Sequence, residues 1–132
     1  MRDETPESTP SPVFDRAAEL FGVLSTPIRL RIIGALCGGE KNVSHLLDEI
    51  EVSQPNMSRH LNVLYRTGVV AKRRSGVQVF YRIADESVVL VCKAVCSQVE
   101  LELKMGRRMH GDDPADSATN RSNPLNSLKE SI

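Results

Sequence analysis

One helix begins at Asn42 and ends near Ile50, and a second begins at Ser53. Only Glu51-Val52 is left to turn the chain, so the two helices must pack against each other at a steep angle. Asn42 caps the first, whose Val43, Leu46, Leu47 and Ile50 recur at helical spacing. Ser53 caps the second, with Pro55 in its first turn, Met57, Leu61 and Leu64 along one side, and Gly68 ending it after Thr67. The pair reads as a helix-turn-helix. Upstream, Phe14, Ala17, Ala18, Phe21 and Leu24 mark a helix, and Thr26-Pro27 restarts one whose apolar side runs from Ile28 to Cys37 and stops at Gly38-Gly39. Downstream, Val69-Val70-Ala71 and the run from Val77 to Ile83 flank Ser75-Gly76 as a hairpin, and Asp85-Glu86-Ser87 opens a last helix reaching about Met105. The predicted fold is mainly α with a small β-hairpin, a winged helix-turn-helix in the order ααααββα.

The 132 residues suit one domain. The folded unit is expected over 13–109, between polar, disordered tails over 1–12 and 110–132 that hold too few apolar residues to offset ordering entropy. The start of the chain lacks the basic, apolar pattern of a signal peptide, and no stretch matches a membrane helix, so a cytoplasmic location without a membrane partner is expected. With aromatics at 4% and no Trp, base stacking on an aromatic platform has few residues to work with. An enzyme is not expected, because His45, His60 and His110 stand in no recognisable nucleophile or acid–base motif and there is no Gly-rich phosphate loop.

The net charge is zero, yet the charges are segregated: Ser53 to Ala84 holds Arg59, Arg66, Lys72, Arg73, Arg74 and Arg82 and no acid at all. Such an edge attracts phosphate backbones. On the helix after the turn, Gln54, Asn56, Ser58, Arg59 and His60 stand where base edges and nearby phosphates of a major groove would be reached, and Lys72, Arg73 and Arg74 would grip the flanking backbone or minor groove. A solvated charged face, or a protein-interaction module that binds no nucleic acid, is the plainer alternative. Acids or apolar residues in the wing would favour that module, and Lys72-Arg73-Arg74 does not.

Thr26-Pro27-Ile28-Arg29-Leu30-Arg31-Ile32-Ile33, the run from Val52 to Leu64, Gly68-Val69-Val70 and Val79-Phe80-Tyr81-Arg82-Ile83 together resemble the ArsR/SmtB family of bacterial winged-helix repressors, over about residues 13 to 105. The resemblance implies a homodimer built on the first and last helices, which binds an inverted repeat in double-stranded operator DNA and releases it when an effector arrives. The family's arsenic site resembles Cys-Val-Cys-Asp-Leu, where this chain has Asn42-Val43-Ser44-His45-Leu46. At the family's zinc site the matching positions are Asp85, Ser87, Gln98 and Leu101, and only the Asp is retained. No cofactor is expected.

Three cysteines remain as sensing thiols: Cys37 at the end of the second helix and Cys92 and Cys96 on the last. Cys92 and Cys96 share a face with Val88, Val99 and Leu103, a face expected to pack on protein. Each thiol also fits as a small core hydrophobe. Thiols on these two helices resemble the sulfur-responsive branch of the family, the repressors of sulfide, biofilm, haemolysin and thiosulfate-oxidation genes, which implies persulfidation or a disulfide or polysulfide bridge. That branch's second cysteine lies nearer residue 100, so Cys96 or Cys92 would replace it. The alternative is a three-thiolate site in which Cys37, Cys92 and Cys96 bind As(III) or another soft metal ion, with a second subunit able to supply the third sulfur. Oxidation requires a lowered thiol pKa, and Lys93, Arg29 and Arg31 are the cations available to lower it.

Overall fold

Local capping chemistry starts three of the five helices. The computed structural model describes residues 11–110, and the expected tails lie outside them apart from Ser11, Pro12 and His110. Helix α1 spans Ser11–Val23, beginning two residues before the expected start at Val13. Helix α2, Pro27–Leu36, is opened by Thr26, whose side chain accepts from the Arg29 amide at 3.2 Å, and Cys37 caps its end. Asn42 accepts from the His45 amide at 2.8 Å and starts α3, Val43–Glu49. Ser53 accepts from the Asn56 amide at 3.3 Å and starts α4, Gln54–Arg66. Each cap satisfies an amide that the first helical turn leaves without a partner. Gly68, at φ +84°, then reverses the chain in a conformation that L side chains rarely adopt.

The wing differs from the expected hairpin. Strands β2, Val70–Ser75, and β3, Gln78–Ile83, pair antiparallel around Gly76, but a short strand β1, Lys41–Asn42, adds to the far edge of β3. The sheet is therefore three-stranded, in the order β1-β3-β2. Helix α5, Glu86–His110, follows at once, and Asp85 accepts from the Ser87 amide at its start. It runs five residues past the expected end near Met105.

Ile32 and Ile33 of α2, Leu46 of α3, Met57, Leu61 and Leu64 of α4, and Val69 are completely buried, so the helix-turn-helix closes on one core. Burying each such side chain contributes roughly 1.5–3 kcal/mol. Val88, Val89 and Cys92 join the first half of α5 to that core. Beyond them α5 leaves its apolar side uncovered: Val95 is 57% exposed and Leu103 58%. Phe14 and Phe21 of α1 are likewise exposed.

Candidate nucleic-acid interface and thiol cluster

Helix α4 divides its residues cleanly. Met57, Leu61 and Leu64 point into the core, which turns Gln54, Asn56, Ser58, Arg59 and Asn62 to the exposed side. Arg59 donates to the Asn56 Oδ1 at 2.7 Å, so two of the five side chains expected to meet DNA hold each other. His60 stands apart from that exposed row. It is half-buried, and its Nδ1 lies 3.4 Å from the Arg29 guanidinium, which also donates to the Val23 carbonyl at 2.6 Å. Burial, then the charges of Arg29 and Arg59, hold its pKa below the ordinary 6.5, which favours a neutral ring. Arg29 thus ties the end of α1, the start of α2 and the middle of α4 together.

On the wing, Lys72, Arg73 and Arg74 are all exposed. The Lys72 ammonium sits 4.3 Å from the centroid of the Tyr65 ring, so the first basic residue of the wing leans on the last turns of α4. Arg73 corrects the expectation of an uncompensated basic edge. Its Nε and NH2 groups donate to the two carboxylate oxygens of Glu40 at 2.8 and 2.7 Å, and its guanidinium lies 4.9 Å from the centroid of the Phe80 ring. The segment from 53 to 84 has no acid of its own, but β1 carries one to its edge from outside. Arg74 and Lys72 have no acidic partner among the described contacts.

The three thiols lie where α2 packs on α5. Cys92 is buried and Cys37 and Cys96 are half-buried. Burial, with further contributions from Cys96 and Cys37 nearby, pushes the Cys92 thiol up to about 11. Burial and then Glu100 push Cys96 up as well. The expected lowering of these two pKa values by Lys93, Arg29 and Arg31 is therefore corrected. Arg29 is committed to Val23 and His60, and loss of water around the thiols outweighs any cation. Cys92 and Cys96 line a cavity of about 180 Å³ between α1, α2 and α5, walled by Phe21, Leu24, Leu30 and Val95. Cys37 opens instead onto a cavity of about 230 Å³ on the wing side, with Glu40, Arg82 and Glu86. Both of the other thiols act electrostatically on Cys92. The shared face of α5 is covered only in part, since Val88 is buried while Val99 and Leu103 are exposed.

Among the described residues no group of three or more His, Cys, Asp or Glu side chains is placed to hold a metal ion. Asp85, the retained position of the zinc pattern, is held by Ser87, whose hydrogen bond keeps its carboxyl below the usual range. No helix among the described residues is long and apolar enough to cross a membrane.

The bacterial regulatory protein, arsR family, matches this chain over residues 26–72, from the cap of α2 to the first basic residue of the wing. The HTH-type transcriptional repressor SmtB of Mycobacterium tuberculosis is 40% identical over 80 residues, which are 61% of this chain and 59% of that protein. The match thus spans less than two thirds of that relative's length. The biofilm growth-associated repressor of Xylella fastidiosa is 35% identical over 99 residues, 72% of this chain and 87% of that protein. A homodimeric winged helix-turn-helix DNA-binding domain of Mycobacterium bovis superposes with a TM-score of 0.64 at 26% identity, covering 74% of this chain and 91% of that one. The capped helix pair, the basic wing and these likenesses together place the chain in the arsR family of bacterial regulatory proteins.

Proposed function

We propose that this chain is a dimeric transcriptional repressor that binds double-stranded operator DNA and releases it when its thiols react with sulfur species or oxidant. The observation that carries the reading is the polar row of α4, Gln54, Asn56, Ser58 and Arg59, lying exposed beside the cationic wing. In a major groove, Gln54 and Asn56 have the donors and acceptors that read base edges, Arg59 reads guanine or grips phosphate, and Lys72 and Arg74, joined by Arg73 whenever it leaves Glu40, bind the flanking backbone. His60, turned toward Arg29, acts by holding α4 in place.

A second copy covers the uncovered apolar side of α5 and the exposed rings of α1. Val95, Val99, Leu103, Phe14 and Phe21 supply the surface. Two copies related by a twofold axis set their recognition helices about 34–36 Å apart on an inverted repeat of cytoplasmic DNA.

Sensing runs through Cys37 and either Cys96 or Cys92, the latter two reacting through the small thiolate fraction that burial leaves them. A thiolate attacks the sulfane sulfur of a polysulfide, and the shortened polysulfide departs with the electron pair of the broken S–S bond, leaving a persulfide. The second thiolate attacks its inner sulfur and expels hydrosulfide. Two thiols are then oxidised to a disulfide and one sulfane sulfur is reduced to hydrosulfide, which keeps one of the two thiol protons while the other passes to solvent. Joining α2 to α5 moves the wing that α5 follows, with couplings in such systems of about 1–3 kcal/mol.

Replacing Cys37 or Cys96 by Ser and measuring affinity for a duplex from the chain's own upstream region, before and after polysulfide, tests the bridge. Loss of release in either variant supports it, and unchanged release in both overturns it. Intact-mass analysis after polysulfide and after As(III) separates the chemistries, because bound arsenic with DNA release would assign the thiols to a soft metal ion.

A further inference from the structure

Arg73 is the most constrained cation of the wing. Strand register puts Arg73, Phe80 and Asn42 in one row across β2, β3 and β1. Glu40 lies two residues before Asn42 and so on the same side of the sheet. The arginine arm crosses the Phe80 ring and ends in a two-bond fork on the Glu40 carboxylate. Two parallel charge-assisted bonds to two oxygens are also how guanidinium meets a phosphate. The hydrogen bonds from Arg73 hold the Glu40 carboxyl below the usual carboxylate range. Lys72 and Arg74, on either side, have no acid against them among the described contacts.

Resting on the DNA-binding reading above, we infer that Glu40 is a built-in phosphate mimic that competes with the duplex for Arg73 and so sets how tightly the wing grips backbone. While Arg73 is on Glu40 it cannot also form a two-bond contact with a phosphate. Each protomer then presents one phosphate contact fewer than its sequence carries. Glu40 also lines the same wing-side cavity as Cys37, three residues earlier in the chain, so the latch lies next to a sensing thiol.

Each phosphate contact adds about 0.9 to the slope of log affinity against log salt, so releasing two arginines per dimer steepens the slope by about 1.8. Between about 50 and about 200 mM salt the Glu40→Gln protein should then lose about twelvefold more affinity than the wild type, starting from tighter binding at the lower salt. The measurement is fluorescence anisotropy of full-length wild type, E40Q, R73Q and E40Q/R73Q on a duplex from the upstream region and on a scrambled duplex.

The latch predicts that E40Q steepens the slope and that the same change has no effect when Arg73 is already Gln. An equal effect of E40Q in both backgrounds would reduce Glu40 to a general negative charge and overturn the latch. Weaker binding by E40Q would show instead that Glu40 aims Arg73 at phosphate, and would overturn it too. If the wild type binds neither duplex at low salt, the regulator reading itself fails and takes the latch with it. Glu40→Ala removes both acceptor oxygens together with the charge, and carries the test should E40Q be poorly folded.

Discussion

Cys92 tests the electrostatic account of the thiols most sharply. Its pKa lies near 11 against an ordinary value of 9.0, because burial disfavours the thiolate and the neighbouring Cys96 and Cys37 add to the effect. At pH 7 those two units reduce the reactive thiolate about a hundredfold. A more basic thiolate is intrinsically more nucleophilic, with a Brønsted coefficient of about 0.4–0.5, which restores about six- to tenfold. Cys92 should therefore alkylate at least about tenfold more slowly than an ordinary thiol at pH 7, before any loss of access is counted. Its rate should keep rising about tenfold per pH unit past pH 9, where an ordinary thiol levels off. Iodoacetamide labelling of the native chain at pH 7 to 10.5, with each cysteine peptide quantified by mass spectrometry, gives both numbers. A Cys92 that labels at neutral pH as fast as a thiol in the unfolded chain, or levels off below pH 9, would refute the argument. The same shift fixes a stability sign: a thiol pKa raised by folding stabilises below about pH 9, and that contribution is lost as pH rises from 9 toward 11.

Two further outcomes follow from the packing. Leu61→Ala removes a fully buried side chain from the inward side of α4 and should cost about 2–5 kcal/mol in denaturant unfolding. A loss under about 1 kcal/mol would mean that α4 is not seated on the core. By NMR, His60 should titrate below 6.5, and Arg29→Gln should move it upward, since burial and Arg29 are the two largest causes of the shift. Because the unfolded chain then takes the proton first, His60 makes the fold lose stability as pH falls below 6.5; an unchanged titration in the Arg29 variant would remove the contact from the account.

What was legible in the sequence was local. Thr26, Asn42 and Ser53 cap helices because each needs only an amide three residues ahead, and Gly68 and Gly76 mark turns because their positive φ is a property of the residue itself. The inward row Met57, Leu61, Leu64 was readable for the same reason, and it determined which side of α4 is exposed. Strand β1 was not legible. It is two residues long, and its pairing with Phe80 and Tyr81 is distant in sequence and carries no periodic signal. Missing it hid Glu40, whose only clue was an acid just ahead of a strand-length pause after Gly38-Gly39. Thiol spacing was visible, but burial was not, because the walls of the Cys92 cavity come from three separate helices. The half-burial of His60 against Arg29 was not legible either, because Arg29 stands 31 residues away in the sequence.

The central claim is that two copies of this chain dock their α4 helices and wings on a DNA duplex. Sedimentation of the chain with a fluorescent duplex from its own upstream region, titrated with salt, tests it directly. The account predicts two chains per site, tighter binding than to a scrambled duplex, and a log–log salt slope steeper than about −3, as several phosphate contacts per dimer require. A single chain per duplex, or affinity that is indifferent to salt and sequence, would contradict it.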